Sequence, residues 1–193
     1  MNRLIGLLVC FFMAGAACAA PAVAFYYGAQ PPWDDLQAFD LVVVDPGHVP
    51  NPTQPVLPQT ERVAYVSVGE VHPSRAYASK IPKAWLKGDN KDWGSRLIDQ
   101  AAPDWPRFFS DSVIDPLWAA GYRSFFLDTL DSYHLFAKTP EEKAGQEAGM
   151  VALVMELKRR HPQAKLIFNR GFEILDRQDR GGGRVGCHER GRG

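Results

Sequence analysis

The 193-residue chain has little cysteine, no net charge and no long apolar run beyond its first residues. Its three cysteines are Cys10, Cys18 and Cys187. The first two fall in a predicted leader, and the one that remains closes no intramolecular disulfide, so a disulfide-stapled scaffold is excluded. His48, His72, His134 and His161 are scattered without metal-ligand spacing. No metal site and no cofactor are expected from them, and a metal-dependent polysaccharide deacetylase is excluded with them. With 22 basic and 22 acidic residues the chain has no broad basic surface, which removes the compositional basis for a nucleic-acid partner. Fifteen prolines and 17 glycines follow no period, so collagen-like and low-complexity structures are excluded too. There is no Gly-x-Ser-x-Gly elbow, Walker loop or His-Glu-x-x-His helix.

What is present is a globular composition, 46% hydrophobic and 23% charged, between two atypical ends. Arg3 gives a positive start, Leu4 to Ala16 forms an apolar stretch, and Ala17-Cys18-Ala19 supplies small residues for a signal peptidase. Residues 1–19 therefore read as a cleavable signal peptide, too short for a membrane span. Gly15 stands where a lipoprotein signal wants a larger aliphatic. A periplasmic or secreted protein with no membrane span after cleavage is expected. At the other end, Asp176 to Gly193 holds six Gly, five Arg and one aliphatic, Val185. Such a stretch has almost nothing to bury and reads as a disordered tail over 176–193. The abrupt change of composition also fits departure from the native reading frame near Asp176, and both readings stand.

Between the ends, residues 20–175 alternate strands and helices. Nearly continuous apolar runs at Ala22–Tyr27, Leu41–Val44, Val63–Val68, Ser124–Leu127 and Leu166–Phe168 predict parallel strands covered on both faces. Thr139 to His161 reads as a helix, with Thr139 and Glu142 as a capping box and Ala148, Val151, Ala152 and Met155 as its apolar stripe. Asp104 to Gly121 reads as a second helix, with Phe108, Phe109, Val113 and Leu117 on one face and a kink at Pro116. Four prolines make His48 to Glu61 an irregular crossover. The alternation predicts an α/β fold with a parallel sheet. Tyr27-Gly28-Ala29-Gln30-Pro31 lacks a phosphate-binding glycine pattern, which favours a barrel over an open doubly wound sheet.

Polar groups follow each strand: Tyr27, Asp45, Glu70, then Asp128 with Asp131, then Asn169 with Arg170. In a barrel those positions share the C-terminal face, where active sites of that fold lie. Each alone is an ordinary turn residue, but five successive strand ends point to one mouth suited to paired-carboxylate chemistry. Trp33, Trp85, Trp93 and Tyr133 fall in predicted loops nearby, where a flat ring could stack on a sugar or simply pack in the core.

The runs Val23 to Gly28, Val63 to Glu70, Gly121 to Tyr133 and Leu166 to Gly171 resemble the hydrolase domains of Pel-type exopolysaccharide biosynthesis proteins. Those domains are related to the endo-α-1,4-polygalactosaminidase (GH114-like) glycoside hydrolases. The resemblance covers about residues 22–175 and implies a (β/α)8 TIM barrel, here partial, with about five strands present and strands six to eight missing. It implies a galactosamine-rich, partly N-acetylated polysaccharide as substrate and the exopolysaccharide export machinery as a partner. By position it makes Asp128 the catalytic Asp and puts Glu70, Arg75 and Asp131 in the substrate cleft. Tyr27, Asp45, Asn169 and Arg170, from their places at strand ends, and Tyr133, from its predicted loop, are expected to bind substrate beside them. It also implies a second catalytic carboxylate, a Glu after strand six. Glu173 and Glu189 do not occupy such a position, because neither sits at a predicted strand end. Three functions are thus expected to compete: a glycoside hydrolase impaired by truncation, a non-catalytic carbohydrate-binding remnant, and an unstable gene fragment.

Overall fold

A computed structural model describes residues 20–171. The predicted leader over 1–19, the tail over 176–193 and residues 172–175 of the predicted domain lie outside the described residues. Five parallel strands form one sheet: β1 (Val23–Tyr26), β2 (Leu41–Val44), β3 (Glu61–Ser67), β7 (Ser124–Asp128) and β8 (Lys165–Phe168), neighbours in that order. All five expected strands are there, because β-branched and aromatic runs suit a sheet buried on both faces. Between β3 and β7 the chain builds a second, antiparallel sheet that the sequence reading missed. It consists of β4 (Glu70–Val71), β5 (Leu86–Asn90) and β6 (Ser95–Ile98), ordered β4-β6-β5.

Strand register separates two faces. Phe25 lies beside Val43, Val43 beside Val63, Tyr65 beside Phe126 and Phe126 beside Ile167, so these residues share one face. Val42, Val44, Ala64, Val66, Phe125 and Leu127 alternate with them and join the larger core under the helices. That core includes Trp105, Phe109, Val113 and Ile114 from the segment before β7, and Met150, Leu153, Val154 and Leu157 from the long helix.

Four α-helices flank the sheets: α1 (Trp33–Leu36), α2 (Trp105–Phe109), α3 (Asp115–Ala120) and α4 (Pro140–Arg160). The expected kink at Pro116 takes a specific form, a π-helical turn over Ser110–Ile114 that joins α2 to α3. Proline has no N–H to offer and its ring would press on the carbonyl four residues earlier, so the preceding turn widens. In α4 the capping box forms as expected: Thr139 Oγ1 accepts from the Glu142 N–H at 3.2 Å, and Glu142 Oε2 accepts from the Thr139 N–H at 3.1 Å. Of the expected apolar stripe only Val151 packs against the core. Ala148, Ala152 and Met155 face solvent, and Gln146, Met150, Leu153, Val154 and Leu157 are buried. Both sets have helical spacing, and the set with bulky branched side chains covers more apolar area.

The proline-rich crossover is irregular but tethered. The Arg62 guanidinium, buried and stacked 4.4 Å over the Trp33 ring, donates to the carbonyls of Pro52 and Pro55. The Tyr122 hydroxyl donates to the Val49 carbonyl at 2.5 Å. No helix among the described residues is long and apolar enough to cross a membrane.

Candidate active site

The C-terminal ends of the parallel strands and one side of the antiparallel sheet enclose a cleft of about 690 Å³. That size is in the range of small-molecule sites. Tyr27, Asp45, Glu70, Arg75, Asp128, Asp131, Asn169 and Arg170 all line it. Parallel strands end on the same side, so residues far apart in sequence meet there without further instruction.

Asp128 closes β7 beside Ser67, the last residue of β3. Its carboxylate accepts from the Tyr65 hydroxyl at 2.8 Å and from Asn169 Nδ2 at 2.7 Å, which fixes both oxygens. Burial first, then the bond to Asp128 and its charge, raises the Tyr65 hydroxyl well above the ordinary tyrosine range. Tyr65 is therefore a neutral donor at any physiological pH. Tyr27 is pushed up to about 12, by burial and then by the charges of Asp128 and Asp45. The turn after Asp128 is strained: Thr129, a β-branched residue, has φ 62°. Its hydroxyl donates to the Asp128 carbonyl at 2.7 Å, accepts from the Gly69 N–H at 2.9 Å and lies 2.8 Å from Ser67 Oγ. These bonds hold a backbone shape that would otherwise relax.

Asp45 and Arg75 form a two-pronged ion pair, Nη1–Oδ1 2.8 Å and Nη2–Oδ2 2.9 Å. Burial alone would raise the Asp45 carboxyl. The Arg75 bond, the Gly47 N–H and the charges of Arg75 and His48 outweigh it, and the carboxyl is held below its ordinary value. Arg75 is correspondingly raised, chiefly by its bond to Asp45. Tyr77 beside them is pushed up to about 12 by burial and then by Asp45, with Arg75 opposing.

Glu70 opens β4 rather than ending β3, and it is buried, 4% exposed. Its carboxylate accepts from Asn90 Nδ2 at 3.0 Å, from Ser132 Oγ at 2.5 Å and from Ser95 Oγ. Those donors come from β5, β6 and the turn after β7, so one carboxylate ties three elements together under the cleft. Asp131 and Arg170 face each other across the other wall at 3.7 Å.

Tyr133 does not reach the cleft. It is fully buried, with its hydroxyl 3.2 Å from Glu147 Oε1. The short 3-10 turn Ser132–Leu135 sends Ser132 and His134 to the cleft and turns Tyr133 into the core. Of the tryptophans, Trp33 carries Arg62, and Trp85 packs edge-on against Trp105 and Phe108, so both serve structure. Trp93 alone of the four expected aromatics is exposed at the cleft. The sequence reading missed Tyr65, Asn90, Ser95 and Ser132. Tyr65 is legible in retrospect, since it lies two residues before the end of β3 and so shares the face of Ser67. Among the described residues no three His, Cys, Asp or Glu side chains group closely enough to hold a metal.

The sequence profile of glycoside-hydrolase family GH114 matches residues 13–181. The chain is similar to the solved glycoside hydrolase domain of PelA from Pseudomonas aeruginosa, at 35% identity and TM-score 0.70, over 82% of this chain and 63% of that one. It thus spans less than two thirds of that domain. The structure of Aspergillus fumigatus Ega3 in complex with galactosamine matches at 15% identity and TM-score 0.54, over 72% of this chain and 55% of that one. An alpha-galactosidase from Lactobacillus brevis matches at 11% identity and TM-score 0.53, over 77% and 26%. These last two likenesses concern the fold alone, that of a partial (β/α)8 barrel. No curated protein matches the chain.

Proposed function

The chain belongs to glycoside-hydrolase family GH114, and from that membership we propose that its cleft binds a galactosamine-rich polysaccharide with Asp128 as the reacting carboxylate. The observation behind this reading is the Asp128 carboxylate itself, fixed by Tyr65 and Asn169 at the mouth of a ligand-sized cleft. Four carboxylates in that cleft face two guanidinium groups, an acidic excess suited to the protonated amine of a hexosamine. Galactosamine is also the ligand bound by the Aspergillus fumigatus protein of the same fold. The leader over 1–19 would deliver the chain to the periplasm or beyond, where such a polymer and its export machinery are met.

Glycoside cleavage needs two carboxylates, one to protonate the leaving oxygen and one to attack or to activate water. Among the described cleft residues the other acids have structural partners. Asp45 is clamped by Arg75, Glu70 is saturated by three donors, and Asp131 faces Arg170 at 3.7 Å. On this reading, with no second carboxylate assigned among the described residues, the chain binds the polymer and turns it over weakly, since an acid or base contributes about 10²–10⁴-fold in rate. The test is to express residues 20–193 and measure both binding and reducing-end release on partly deacetylated polygalactosamine. Binding with little release is expected, and Asp128→Asn removes what release there is. No binding would overturn the reading. Robust release abolished by Asp128→Asn would keep the hydrolase and overturn the weak turnover.

A further inference from the structure

Trp93 presents its indole to solvent, 76% exposed, at the tip of the turn between β5 and β6, where it lines the rim of the cleft. An isolated exposed tryptophan on a flexible loop would mean little. This one is mounted on a rigid support. Asn90, which closes β5, and Ser95, which opens β6, both donate to the buried Glu70 carboxylate, so each leg of the turn is anchored to the cleft floor. The Asp92 N–H donates to Asn90 Oδ1 at 3.3 Å, and Gly94 takes φ 61°, which lets the chain reverse without a side chain in the way. Leu135, 53% exposed, adds an aliphatic group to the cleft lining. The rest of the lining combines carboxylates, guanidinium groups, amides and imidazoles with the rings of Tyr27, Tyr65 and Tyr77.

We propose that Trp93 is a binding platform for an additional glycosyl unit of an amino-sugar polymer, outside the unit held at Asp128. The inference rests on the reading of the cleft as a site for such a polymer. A flat indole meets the C–H face of a hexose over a large area at small entropic cost, because only two torsions are fixed. Tryptophan is also the best aromatic partner for an ammonium group, so a free amine on the sugar adds attraction that an N-acetyl group does not. Trp93 thus makes the site prefer oligomers over single sugars, and deacetylated units over acetylated ones.

Binding of α-1,4-linked galactosamine oligomers of one to six units to the protein over residues 20–193, followed by calorimetry, tests this. Affinity of the unaltered protein should rise with chain length. Trp93→Ala should bind the longer oligomers about fivefold more weakly and the monosaccharide as before. Trp93→Phe should recover part of the loss, and fully N-acetylated oligomers should show a smaller difference between the two proteins. Length-dependent binding that Trp93→Ala leaves unchanged would overturn the platform while sparing the reading of the cleft. An equal loss for monosaccharide and hexamer would overturn it as well, since Trp93 would then act on the whole site. Absence of any binding by the unaltered protein would overturn the cleft reading and the platform together.

Discussion

Gly69 and Thr129 approach so closely that a β-carbon at position 69 would lie 2.1 Å from the Thr129 carbonyl oxygen. The contact joins the turn after β3 to the turn after β7, and the Gly69 N–H bond to Thr129 Oγ1 closes it. Gly69→Ala must push the Asp128–Thr129 turn away, because the obstructing atom is backbone. The expected cost is at least about 1–3 kcal/mol in urea denaturation, with weakened sugar binding. A variant as stable as the parent with unaltered binding would show that this turn does not set the position of Asp128.

Tyr65→Phe removes one of the two donors to Asp128 and little volume. A hydrogen bond to a charged acceptor contributes about 1.5–3 kcal/mol, and losing it should lower the unfolding free energy by that order. Reducing-end release, where measurable, should fall more than polymer binding does. Denaturant titration and a paired binding assay separate the two effects.

The Asp45–Arg75 pair gives a pH dependence of definite sign. Folding holds the Asp45 carboxyl below its ordinary value, against the effect of burial and through Arg75, so the folded state favours the ionised form. Its contribution is fully present above the unfolded value of about 3.9 and is lost as pH falls through the lower folded value. The difference in melting temperature between the parent and Asp45→Asn should be constant near neutrality and shrink below about pH 4. A difference that grew on acidification would contradict the pairing.

Helix α4 offers a direct comparison of its two faces. Leu153 is fully buried and Met155 is 64% exposed. Leu153→Ala should cost about 2–5 kcal/mol, whereas Met155→Ala should stay within about 0.5 kcal/mol of the parent. Thermal or chemical unfolding of the two variants decides it.

The parallel strands and the mouth they share were legible because continuous Val, Ile and Phe runs in an α/β alternation have few other uses. The antiparallel sheet was not. Leu86–Asn90 reads Leu-Lys-Gly-Asp-Asn and is largely exposed, so it shows neither alternation nor an apolar run. Its strands exist because Glu70, Asn90 and Ser95 bond across them, a tertiary cause that local pattern does not record. Tyr133 misled for a related reason. Its neighbours Asp131, Ser132 and His134 do line the cleft, and only the pitch of a 3-10 turn sends the ring inward. In α4 two stripes had helical spacing, and the sequence reading chose the one with smaller side chains.

The pairing of β3 with β7 also sets an order of events during folding. Tyr65 and Asp128 are 63 residues apart in the chain, and the antiparallel sheet and helices α2 and α3 lie between them. Bringing them together requires closure of that long loop, whose entropic cost is met before the contact rewards it. Helical turns such as those of α4 form within microseconds, while the strand ends meet afterwards. A refolding chain therefore recovers its helical signal before it recovers a pocket able to hold sugar, and the interval between the two is the time taken to align β3 with β7.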